Sequence, residues 1–190
     1  MRLAAAAILG LMVAVSGAAA DQPLLRPSRD VDVTYRATGG DGAQGERRLE
    51  QRVRWLAAAQ RMRIDPPSTG LFVIIDYLAR RMSVVREANR SVIEMAAPEA
   101  EAGMTGNLPV GLYVRRGDGT VAGQACTEWE TRDRDGRQAV VCITADGVLL
   151  RAASEGQVLA SAVSVQYAPQ DPALFQVPPG YAHHSAGARP

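Results

Sequence analysis

Apolar and polar residues alternate in short runs along most of the chain. Val31, Val33 and Tyr35 alternate with Asp32, Thr34 and Arg36; Val53 and Trp55 alternate with Arg52 and Arg54, and Met62 and Ile64 with Arg61 and Arg63. Further short runs fall at 71–77, 81–86, 91–95, 110–116, 124–131, 138–144, 148–152 and 159–167. Turn-forming residues separate them: Gly39-Gly40-Asp41-Gly42, Pro66-Pro67-Ser68-Thr69-Gly70, Asn89-Arg90 and Gly117-Asp118-Gly119. A period of two at intervals near ten residues predicts about ten or eleven strands in a meandering antiparallel sheet or barrel. Helix is scarce, with one turn or two expected within 97–108.

The first 20 residues break this pattern. Arg2 precedes an uncharged run from Leu3 to Val15, and Ser16-Gly17-Ala18-Ala19-Ala20 follows as small residues ahead of Asp21. This is the arrangement of a cleaved secretory signal ending at Ala20. The expected mature protein is one domain over 21–182 with a flexible tail over 183–190, located in the bacterial periplasm. Later apolar runs are too short to span a bilayer, because Asp76 interrupts 71–75, so an integral membrane protein is not expected.

Export makes the cysteine count informative. Cys126 and Cys142 are the only two, which in an oxidising compartment predicts a disulfide. They lie on adjacent strand runs joined through Asp135-Gly136, a hairpin turn signal. Pairing Thr131 with Arg137 across a five-residue loop sets Cys126 opposite Cys142 and Trp129 opposite Ala139. The pair is not a C-x-x-C, so its expected role is structural.

The chain carries 21 basic and 20 acidic residues, and the expected signal accounts for one of the basic ones. A neutral mature segment gives no electrostatic reason to expect nucleic-acid binding. Every basic residue is arginine, in keeping with a composition also rich in Ala and Gly, so no single arginine marks a site. The arginines that alternate with apolar residues at 52, 54, 61 and 63 read as a solvated strand face, or as a surface for an anionic partner.

Several segments together carry a resemblance. Arg63-Ile64-Asp65, Phe72-Val73-Ile74-Ile75-Asp76, Arg81-Met82-Ser83-Val84-Val85 and Met95 look like the strand series of the LolA/LolB-like superfamily. In the second half the order is Val121-Ala122-Gly123-Gln124-Ala125-Cys126, Val141-Cys142-Ile143-Thr144, Gly147-Val148-Leu149-Leu150, and Leu174-Phe175-Gln176-Val177-Pro178-Pro179-Gly180-Tyr181. That order is similar to an exported bacterial family of unknown function within the superfamily. The resemblance implies an unclosed, LolA-like β-barrel: a curved antiparallel sheet around an apolar cavity, with a short helical lid. Its relatives carry lipoprotein acyl chains, but the shared motifs concern the scaffold and transfer no ligand residue.

Within such a sheet, apolar residues at strand positions are the candidates to line the cavity. From the first strands these are Val53, Trp55, Met62 and Ile64. From the next they are Phe72, Ile74, Met82 and Val84, followed by Ile93 and Met95. The plainer reading is that they fill the core. An acyl chain needs no polar motif, since each buried methylene contributes about 0.8 kcal/mol.

No nucleophile elbow, phosphate loop or dinucleotide fingerprint occurs. The only histidines, His183 and His184, fall in the expected tail, so acyl transfer lacks its usual base. Scattered methionines read as core rather than as metal ligands, and the pairs Glu128 with Glu130 and Asp133 with Asp135 read as solvated surface. The expectation is a non-enzymatic protein without metal or cofactor. It either holds a lipid or lipoprotein acyl chain, or docks an envelope protein through an edge strand or the arginine face.

Overall fold

The computed structural model describes residues 22–39, 47–67, 70–97, 112–132 and 136–185. The expected signal, the lid beyond Ala97 and the Asp133 and Asp135 pair lie outside the described residues, as does Met104. Within them the chain forms β1 (Val31–Gly39), β2 (Arg47–Leu56), β3 (Arg61–Asp65), β4 (Leu71–Asp76), β5 (Arg81–Arg86) and β6 (Ser91–Ala96). It continues as β7 (Val114–Val121), β8 (Gln124–Arg132), β9 (Gln138–Ile143), β10 (Leu149–Ser154), β11 (Gln157–Gln166) and β12 (Ala182–Ser185). Helical geometry among these residues is confined to short 3-10 turns at Ala57–Ala59 and Pro172–Phe175.

All twelve strands belong to one curved sheet in the order β12-β6-β5-β4-β3-β2-β1-β11-β10-β9-β8-β7. Two meanders meet where β1 pairs with β11, and the outermost strands, β12 and β7, do not join. This is the unclosed antiparallel architecture that the alternation and the resemblance imply. From β1 to β6 the ladders run without a bulge, so a residue's face can be read directly from its partner.

The inner face is the side on which the two meanders share a core. Val31, Val33, Tyr35, Val53, Trp55, Met62 and Ile75 from the first meander cluster there with Leu150, Ala162 and both cysteines from the second. The Tyr35 hydroxyl donates to the Leu149 carbonyl at 2.6 Å, tying β1 to β10. Burial pushes the pKa of that hydroxyl far up, so it remains a donor.

Three local expectations are corrected. The disulfide forms, with Cα atoms 5.5 Å apart, but the register differs by two: Cys142 is opposite Glu128, and Trp129 is opposite Val141. A shift of two preserves which residues share a face, so the cysteines still meet, diagonally, where the ladder ends at Ile143. Gly117-Asp118-Gly119 does not close a strand; β7 runs through it and turns at Ala122-Gly123, both at positive φ. Gly119 lies beside the disulfide, where a Cβ would stand 3.1 Å from the Cys142 sulfur, so the strand passes there with the least side chain.

The third correction concerns the C-terminus. Residues 183–185, expected as part of a flexible tail, join Ala182 in β12 parallel to β6, with His183 beside Val92 and His184 beside Ile93. Gly180, at φ +78°, turns the chain, and the Ala182 amide donates to the Arg90 carbonyl at 2.8 Å. Pro178-Pro179-Gly180 therefore redirects the chain into β12.

Candidate functional site

The register divides the ten candidate lining residues between the two faces of β2 to β6. Trp55 pairs with Met62, and Val53 with Ile64. Met62 then pairs with Ile75, which pairs with Met82, which pairs with Met95. In the next row Ile64 leads through Val73 and Val84 to Ile93. Eight of the ten therefore stand on the inner face in two continuous rows.

Within those rows burial changes with position. Val53, Trp55 and Met62 are between 0% and 3% exposed and belong to the shared core. They fill the interior. Ile64, Val73, Met82, Val84, Ile93 and Met95 are only half-buried. Together they make an apolar strip on the inner wall of β3 to β6, away from the junction with the second meander. The indole N–H of Trp55 is fully buried and has no hydrogen-bond partner among the described residues. Its ring packs against Tyr77 at 5.7 Å between centroids.

Phe72 and Ile74 are not on this wall. They alternate with Val73 and Ile75 along β4, and they pack with Val85 and Val92 on the outer face under Val177 and Tyr181. An unbroken apolar run is what a strand buried on both faces looks like, and alternation cannot divide it. Phe175, 1% exposed, stands beside this outer layer with Ile74 and Val177.

The arginines on the outer face are paired with carboxylates, most of them reached across the strand ladder. Arg52 bonds Asp32, and Arg54 lies between Asp32 at 3.4 Å and Asp65 at 2.9 Å. Arg63 bonds Asp65 at 2.8 Å, stacks over Phe72 at 3.8 Å, and donates to the Leu174 carbonyl at 2.9 Å. Arg61 bonds Asp76 at 2.8 Å. The row is a ladder of four arginines paired with three aspartates, and Arg63 holds the C-terminal segment, so it offers little free charge to an anionic partner. On the second meander Glu128 bonds Arg151 and Glu130 bonds Arg116, so that acidic pair is also engaged.

Between the outer face and the C-terminal segment lies an open cleft of about 360 Å³. Ile74, Phe175 and Val177 supply its apolar part, and Arg61, Asp76, Arg81, Ser83, Glu94, Gln176 and His183 its polar part. For Asp76 the largest influence is burial, which disfavours the charge. Hydrogen bonds from the Ala79 amide and Arg61, with the charges of Arg61 and Arg81, outweigh it and hold the carboxyl below its ordinary range. Of the ten predicted lining residues only Ile74 borders this cleft, together with Arg61 from the arginine face.

No family model matches the sequence, and no curated protein matches it. Solved structures do match the fold. An uncharacterized conserved protein from Thermus thermophilus superposes with a TM-score of 0.58 at 16% identity, over 83% of this chain and 91% of that one. PNGF-II gives 0.55 at 13% identity, over 84% of this chain and 31% of that one. In the Pseudomonas aeruginosa MucA/MucB complex the values are 0.50 and 15%, over 80% of this chain and 58% of that one. This chain thus spans about a third of PNGF-II and somewhat over half of the matched chain in the MucA/MucB complex. At these identities what is shared is the curved, open sheet.

Proposed function

We infer that this is an exported, non-enzymatic protein of the cell envelope that holds an apolar chain, such as a lipid or lipoprotein acyl chain, against the inner wall of its open sheet. The observation that carries this reading is the half-buried strip of Ile64, Val73, Met82, Val84, Ile93 and Met95. It lies on the face where the sheet curves around, with Ile64, Val73 and Met82 packed against the shared core. Such a strip gains from covering its remaining apolar surface, at roughly 25 cal/mol per Å². The signal-like N-terminus and the disulfide support an oxidising, extracytoplasmic location.

The test is native mass spectrometry of the protein purified from the envelope, followed by titration with a fluorescent fatty acid. The expected result is a co-purifying lipid and a fatty-acid affinity that Val84→Glu or Ile93→Glu lowers at least tenfold. A protein that is always empty and ignores acyl probes would overturn the reading. A second reading, a docking module for an envelope protein, draws on the MucA/MucB complex. It also draws on the exposure of Leu112 (83%) and Val114 (60%) at the edge strand β7. Crosslinking at Val114 that captured one stoichiometric protein and no lipid would favour it.

A further inference from the structure

The outer cleft has the composition of a ligand site that the apolar-chain reading does not use. Its volume of about 360 Å³ is at the small end of the range for metabolite pockets, roughly 300–1,000 Å³. Its polar groups fall into two sets. Arg61 and Asp76 are committed to each other, and Asp76 also accepts from the Ala79 amide, so this pair is satisfied. The second set is held more loosely and is partly solvated. Arg81 stands 3.8 Å and His183 3.6 Å from the same Glu94 oxygen, both longer than a hydrogen bond.

Ser83 adds a hydroxyl to the same wall. It lies on β5 and borders the cleft, while the residue as a whole is 5% exposed. The loosely held groups are Arg81, Glu94, the protonatable His183 and the Ser83 hydroxyl, beside an apolar floor of Ile74, Phe175 and Val177. A ligand of matching form is itself zwitterionic and carries an apolar side chain.

We propose that this cleft binds a free α-amino acid or dipeptide with an apolar side chain. The carboxylate is taken by Arg81 and the Ser83 hydroxyl, the ammonium by Glu94, and the side chain by Phe175 and Val177. Arg81 offers the planar fork that suits a carboxylate. Glu94, already near two cationic or protonatable groups, gains a direct hydrogen-bonded partner in the ammonium. The site lies on the opposite face of the sheet from the apolar strip and does not depend on that reading.

The experiment is an NMR shift titration of the folded, disulfide-bonded protein with leucyl-leucine. N-acetyl-leucyl-leucine and leucyl-leucinamide serve as probes that each lack one charge. Shifts are expected at Ser83, Glu94 and Val177, with affinity falling at least tenfold for either capped form. In Glu94→Gln the penalty for acetylation should vanish while that for amidation persists, and Arg81→Gln should show the reverse. Both side chains are partly solvated, so neither variant should unfold the protein, and the wild-type titration stands without them. Free leucine binding more tightly than the dipeptide would assign the site to single amino acids, within the proposal. The absence of cleft shifts at millimolar peptide would overturn it, as would capping penalties that neither variant alters. Glycerophosphoethanolamine binding as tightly as the dipeptide would also overturn it, in favour of a phosphate headgroup.

Discussion

The two faces of β2 to β6 come from the same six or so residues per strand, yet they are stabilised differently. The inner face is apolar in its two central rows, buried where the two meanders meet and half-open beyond, with Gln51, Arg86 and Ser91 in the next row. The outer face is a ladder of arginine–aspartate pairs beside a small apolar layer, and both are covered by the segment from Pro172 to β12. Polar pairing makes the outer cover specific in position, because Arg63 reaches one carbonyl, that of Leu174. Apolar burial makes the inner wall strong but undirected, so it suits a ligand defined by greasiness more than by shape.

The sharpest way to break this contrast is to remove the largest side chain from each face. Trp55→Ala and Phe175→Ala should each cost about 3–5 kcal/mol, measured by denaturant unfolding. Their local consequences should differ. Trp55→Ala should lower protection from hydrogen exchange in both meanders, since Trp55 belongs to the core they share. Phe175→Ala should expose mainly 172–185. Trp55→Phe should cost far less than Trp55→Ala, because the indole N–H has no partner to lose.

Next in size is reduction of the disulfide. It closes a loop with a sequence separation of 16, worth roughly 3 kcal/mol in the chain-entropy model. Thermal melts with and without reductant should separate by several degrees, while fatty-acid binding at the inner wall of β3 to β6 stays the same. Equal melting temperatures would show that the bond adds nothing.

How much of this was legible in the sequence depended on which physical signal was present. Strands half-exposed to water, such as β2 and β3, declared themselves by alternation, and so did the fold class. β12 did not, because Ala182-His183-His184-Ser185 has no apolar alternation and is held by pairing with β6 alone. The division of Phe72 and Ile74 from Val73 and Ile75 was hidden because β4 is apolar on both sides. Outer arginines were visible, but their neutralisation was not: Asp32 reaches Arg52 and Arg54 only across a strand pairing. The cleft was invisible for the same reason, since Arg61, Ser83, Glu94 and His183 come from four separate strands.

A smaller effect tests the direction of the outer cover. Arg63→Met removes the bond to Leu174 and the pairing with Asp65, while Arg54 still faces that carboxylate. A loss of about 1–2 kcal/mol is expected, with faster limited proteolysis within 174–181. Arg63→Lys should restore little, because an ammonium cannot reproduce the flat stacking on Phe72 together with two directed bonds.

The smallest predicted effect is a pH dependence that belongs to the outer face alone. Asp76 is held below its ordinary pKa in the folded protein, so the unfolded chain binds its proton more readily than the native one. Its contribution is therefore fully present above the unfolded carboxylate value, about 3.9, and is lost as the pH falls through the lower folded value. Protonation weakens the bond from Arg61 and leaves that guanidinium short of a partner beside the cleft. Unfolding free energies measured between pH 6 and pH 2 should thus decline more steeply in the wild type than in Asp76→Asn, after both are normalised to pH 6. Parallel curves would mean that Arg61 and solvent exchange freely, and that the ladder orders the outer face without stabilising it. A steeper wild-type decline confined to exchange at 76–79 and 172–185 would show that ionic pairing secures the outer cover while the inner wall holds without it.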